Sequence, residues 1–154
     1  QIAAGLASVT PIAGRLEIKS LSGGGVVIDD SYNASPSSFE AAIDVLAERS
    51  GRRVVVMGDM GELGDNKIEM HQQVGAYALH SDIDAFYSVG DLSAAATEAF
   101  GGDHHVDKES LAAALYLELQ SAQTNNSDIT FLVKGSRSSG MEQIVDRLLS
   151  RGEG

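Results

Sequence analysis

Three stretches of the chain concentrate side chains able to bind a small polar ligand: DDSYN at Asp29 to Asn33, GDMGELG at residues 58–64 and KGSRSSG at residues 134–140. Asp29 and Asp30 are neighbours, so on a strand they face opposite ways and only one easily faces a ligand crevice. A carboxylate at a strand end can accept two hydrogen bonds from a ribose diol. Taken alone, a turn or helix-capping aspartate is the commoner role. The 58–64 stretch is neither G-x-G-x-x-G nor a P-loop, and G-x-x-x-x-G-K-[ST] occurs nowhere in the chain. Its glycines fit two readings, a flexible loop with positive φ or a close approach to a ligand or a neighbouring domain. Asp59 and Glu62 make it acidic, which argues against cradling phosphate. The 134–140 stretch carries Lys134, Arg137 and the serines Ser136, Ser138 and Ser139 ahead of a helical pattern. Free N–H groups and two cations suit a carboxylate or phosphate; a plain strand-to-helix loop with serine caps fits equally well.

The four histidines, His71, His80, His104 and His105, show no H-E-x-x-H spacing and are expected to be solvated, with no metal site. G-x-S-x-G is absent, so no hydrolase nucleophile is expected. With Cys at 0, disulfides and thiolate sites are excluded.

The elements that must carry these stretches alternate. Short β-branched runs at residues 26–30, 53–58, 85–89 and 129–133 read as strands, with a short one expected at His105 and Val106. Between them lie helical faces: Phe39, Ala42, Ile43 and Leu46 after a Ser35-Pro36 start; Ile68, Val74 and Ala78, weakened by Gly75; residues 92–100; and Leu111, Leu115 and Leu119. Met141, Ile144, Val145 and Leu148 follow the last strand. Residues 15–19 predict an edge strand joined through Ser22-Gly23-Gly24-Gly25, and residues 3–9 a helix stub. The expected fold is α/β: a Rossmann-like three-layer sandwich, mostly parallel, with one antiparallel edge strand and helices on both faces. In such sheets ligands collect beyond the carboxyl ends of the strands, where all three polar stretches fall.

The length of 154 residues fits one domain with a real core. Eleven basic against 22 acidic residues give a net charge of −11, which disfavours nucleic acid, and no run is long enough to cross a membrane. The domain lacks a phosphate cradle and a nucleophile, so it reads as one wall of an active site.

The words TPIAGRLEIKS, VVIDDSYNASPSSFEAAIDVLA, RRVVVMGDMGELGDNKIEMHQQVG and FLVKGSRSSGMEQIVDRLL, in this order, resemble the C-terminal domain of a Mur ligase over residues 11–149. The likeness is greatest to the member that joins D-alanyl-D-alanine to UDP-N-acetylmuramoyl-tripeptide in peptidoglycan precursor synthesis. The resemblance implies ATP and Mg2+ as requirements of the whole enzyme, an acyl phosphate intermediate, and a bacterial cytoplasmic monomer. It implies central and N-terminal domains ahead of this one, with residues 1–12 the central domain's tail, a hinge near Ala13-Gly14, and residues 13–150 the C-terminal domain. On its own, such a domain is expected to be folded but inactive and to hold no cofactor. Carried over by position, Arg15, Asp30, Tyr32 and Asn33 meet ATP, and Lys134, Ser136 and Arg137 the dipeptide side; no catalytic residue is implied. The alternative is a free-standing Rossmann-like or receiver-type binding module, with Asp59 imitating a phosphoacceptor and Lys134 its lysine.

Overall fold

In the computed structural model, residues 14–61 and 63–151 are described. The expected helix stub and domain tail, Ala13 of the hinge, and Glu62 lie outside them.

Six strands form one sheet in the order β1-β2-β6-β3-β4-β5. They are β1 (Glu17–Ser20), β2 (Val26–Asp30), β3 (Arg52–Met57), β4 (Ala85–Val89), β5 (Asp103–His105) and β6 (Ile129–Lys134). The β1–β2 pair is antiparallel and every other pair is parallel. The helices are α1 (Pro36–Ala47), α2 (Lys67–His80), α3 (Ala94–Phe100), α4 (Lys108–Thr124) and α5 (Glu142–Arg151).

Strand alternation sorts the apolar residues into two cores. Val27, Val54, Val56, Phe131 and Val133 point to the face covered by Leu111, Leu115, Ile144 and Leu148 of α4 and α5. Ile28, Val55, Met57 and Leu132 point to the other, covered by Phe39, Ile43 and Leu46 of α1 and by Val74, Ala78 and Ala96 of α2 and α3. Both faces of the central strands are therefore buried, which is why β6 is buried along its whole length.

Several element ends differ from expectation. α3 starts at Ala94, because Leu92 and Ser93 are held in the turn before it by the Asp59 carboxylate. β5 takes Asp103–His105 and leaves out Val106, which is 90 % exposed beyond the last pairing with β4. Gly75 does not weaken α2 in place: a Cβ there would lie 2.0 Å from the Ala96 carbonyl oxygen, so the missing side chain is what lets α2 and α3 touch.

Candidate functional site at the carboxyl end of β6

The chain leaves β2 and β3 toward the α1/α2 face and leaves β6 toward the α4/α5 face. Connections on the two sides of β6 thus diverge, opening a crevice between β2 and β6 and another between β6 and β3. Such switch points are where open α/β sheets bind ligands. Lys134, the last residue of β6, pairs in register with Asp30 on one side and Met57 on the other.

The two aspartates separate as strand geometry requires. Asp29 is bonded to Lys19 at 3.0 Å and to the Ser31 hydroxyl. Asp30 faces the crevice, where Oδ2 accepts from Lys134 Nζ at 2.7 Å and Oδ1 from the Leu16 backbone N–H at 3.1 Å. That second bond holds the strap carrying Arg15, in which Leu16 adopts φ 47°, a left-handed conformation unfavourable for a branched side chain. The Gly14 carbonyl accepts from Tyr32 N–H at 2.8 Å and ties the strap to the loop after β2.

Two adjoining cavities result. One, of about 350 Å³, is lined by Arg15, Asp30, Asn33, Ser35 and Lys134 among others. The second, of about 290 Å³, is lined by Asn33, Gly61, Ser136, Arg137 and Ser138. Asn33 belongs to both. Tyr32 links them differently, because the Arg15 guanidinium stands 4.5 Å and the Arg137 guanidinium 4.7 Å from its ring centroid. Two cations are thus gathered on one ring, a local concentration of positive charge in an acidic protein. The residues grouped around ATP by resemblance thus come together. Those grouped around the dipeptide divide: Ser136 and Arg137 share a cavity, while Lys134 lies with Asp30 in the other.

The loop after β3 supports this rim from behind. Ser136 N–H donates to the Asp59 carbonyl at 2.8 Å, and the Ser139 hydroxyl donates to the same oxygen at 2.8 Å. Of Gly58, Gly61 and Gly64, only Gly64 has positive φ. A Cβ on Gly58 would fall 2.7 Å from Met141 Cγ and 2.9 Å from Ser139 Cβ, so this glycine lets the two loops pass in contact.

His71 is not solvated. It is fully buried, its Nε2 accepts from Met60 N–H at 3.0 Å, and its Nδ1 lies 2.6 Å from the Lys67 carbonyl. That pairing requires the tautomer with the proton on Nδ1, and it clips the 58–64 loop to α2. The sequence carries a signal for this, since His71 falls on the same helical stripe as Val74 and Ala78.

The receiver-type alternative has no support. The Asp59 carboxylate accepts from Leu92 N–H and from Ser93 N–H at 2.8 Å, and Lys134 is bonded to Asp30 instead. Among the described residues no three His, Asp or Glu side chains converge as a metal site.

Residues 14–137 match the family described as Mur ligase, glutamate ligase domain. The chain belongs to the Mur ligases. Among relatives of this Mur ligase domain, UDP-N-acetylmuramoyl-tripeptide–D-alanyl-D-alanine ligase of Escherichia coli is 45 % identical over 98 % of the chain, and that of Bacillus subtilis 36 % over 96 %. A crystal structure of MurF from Acinetobacter baumannii superposes with a TM-score of 0.85 at 33 % identity over 95 % of the chain. MurF from Thermotoga maritima, in complex with ADP, gives 0.75 at 27 % over 96 %. The Mur ligase domain spans about a third of the length of these proteins, 33 % of the Escherichia coli ligase and 32 % of the Acinetobacter chain.

Proposed function

We propose that this chain is the C-terminal lid of an ATP-dependent ligase that joins D-alanyl-D-alanine to UDP-N-acetylmuramoyl-tripeptide in the bacterial cytoplasm. The supporting observation is the gathering of Arg15, Asp30, Asn33 and Lys134 on one cavity at a switch point of the sheet, with Arg137 brought alongside through Tyr32. Residues 1–12 are read as the end of the preceding ATP-binding domain, with the hinge at Ala13-Gly14.

In this reading Asp30 accepts from the ribose hydroxyls. Its two oxygens each hold one protein bond, and a carboxylate offers about four acceptor sites, so capacity remains. Arg15 reaches the phosphates; Ser136 and Arg137 meet the dipeptide carboxylate. The tripeptide carboxylate attacks the γ-phosphorus and ADP departs, leaving an acyl phosphate. The dipeptide amine then attacks the acyl carbon, phosphate leaves with the bond electrons, and the amine proton is released. An acyl phosphate is lost to water, so a domain closing over it protects the intermediate and aligns the amine. Magnesium would neutralise phosphate charge when bound, its ligands being read as lying in the preceding ATP-binding domain.

The test joins this chain to the two upstream domains of the Escherichia coli relative and measures dipeptide-dependent ADP release. Ligation by the hybrid, and none by the 154-residue chain alone, is expected. ATP turnover by the chain alone would overturn the reading.

A further inference from the structure

We infer that Lys134 is a positioning residue for the nucleotide, acting through Asp30, and not a ligand of the dipeptide. The inference rests on the reading of Asp30 as the ribose acid.

Lys134 is 2 % exposed, and its strand is hydrogen-bonded on both sides, so the ammonium has one reachable neighbourhood. An ammonium has three protons and no acceptor. One goes to Asp30 Oδ2 at 2.7 Å and one to the Asn33 carbonyl at 2.9 Å. The Phe39 ring covers the group at 5.6 Å from its centroid. Two of the three protons are committed in this way, and the third can reach only the cavity that Lys134 lines with Asp30, not the adjoining one lined by Ser136 and Arg137.

The same three contacts give the lysine a role. Asp30 stands between two donors, Leu16 N–H on the Arg15 strap and Lys134 on β6, and these fix the plane of its carboxylate. Holding the Asn33 carbonyl fixes the loop that carries Tyr32. Lys134 therefore determines where the acceptor atoms for a ribose diol point, while Ser136 and Arg137, in the adjoining cavity, keep the dipeptide's carboxylate.

The experiment is steady-state kinetics on the assembled ligase, with ATP, with 2′,3′-dideoxy-ATP and with varied D-alanyl-D-alanine. Lys134→Met is expected to raise KM for ATP about tenfold, the worth of one charge-assisted bond, to shrink the preference for ATP over the dideoxy nucleotide, and to leave KM for the dipeptide within about twofold. Asp30→Asn and the double variant Asp30→Asn, Lys134→Met, which leaves no unpaired buried charge if the single variant fails to fold, are expected to have equal KM for ATP. A rise in dipeptide KM with ATP unchanged would make Lys134 a dipeptide ligand and overturn the inference. So would multiplicative effects in the double variant, or a loss of thermal stability with ribose preference intact. A wild-type enzyme indifferent to the ribose hydroxyls would instead remove the Asp30 reading, and the inference with it.

Discussion

Single side chains decide how the layers meet. The Gly75 position has no room for a methyl group, because the obstacle is the Ala96 backbone carbonyl and not a side chain that can swing away. Gly75→Ala should force α2 from α3 and destabilise the domain by about 3 kcal/mol, within the range for overpacking. A lower urea midpoint at unchanged m-value would register it. Asp59 works in the opposite sense, supplying acceptors to backbone donors at Leu92 and Ser93 that otherwise have to find water. Asp59→Ala should cost about 1–2 kcal/mol by loss of that cap. Circular dichroism melts should show it, and acetyl phosphate should label neither form. None of these contacts is readable from neighbours in sequence: Lys134 meets Asp30 across a separation of 104 residues, and Gly75 in isolation looks only like a poor helix former.

The elements were more legible than their contacts. Apolar residues at i, i+3, i+4 and i+7 mark α1 and α5, the Leu111, Leu115 and Leu119 stripe marks α4, and β-branched runs mark β2, β3 and β6, because burial on one stripe or on both faces writes itself directly into composition. The Ser35-Pro36 start of α1 is likewise local chemistry: Ser35 Oγ accepts from Ser38 N–H at 3.2 Å while Ser38 Oγ accepts from Ser35 N–H at 2.9 Å. Ser35→Ala should lower stability by about 1 kcal/mol. Since Ser35 also lines the cavity of Asp30, a scan of melting temperature beside KM for ATP separates the two consequences. β5 was less legible because Asp, His and His have little strand preference; pairing with β4 holds them. Strand order was illegible for a different reason. An amphipathic helix pattern says that a face is buried, not which side of the sheet buries it, and the crevices flanking β6 exist only because α4 and α5 lie on the side opposite α1 and α2.

For the molecule as a whole, acidity is the dominant solution property. Desolvation of the partly buried Glu118 works against its charge, but the hydrogen bonds from Arg52 and Tyr87 outweigh it and hold its carboxyl below the usual 4.5. The Tyr87 phenol is pushed far up by burial and by that same carboxylate. Backbone and side-chain hydrogen bonds from Ser110 lower Asp107 from 3.8. A carboxyl that titrates lower when folded adds stability above its unfolded pKa and loses it as pH falls through the folded value. Stability should therefore decline on acidification below about pH 4.5, and Glu118→Gln should flatten that decline, as read from urea midpoints across pH 3–6. The net charge of −11 repels polyphosphates at long range and the chain has no G-x-x-x-x-G-K-[ST] phosphate loop, so any nucleotide affinity of the chain alone should fall short of that of the assembled enzyme, and calorimetry on both would measure the gap.

Asn33 stands on the boundary between the two cavities, and its carbonyl is tethered to Lys134 while its side chain caps its own loop. A partition with both compartments on its surface cannot shift for one occupant without changing the shape offered to the other. Filling the first chamber should consequently alter the fit of the second, and by reciprocity the second should report back on the first. The affinity of each chamber for its occupant would then depend in part on the thickness of a single shared residue.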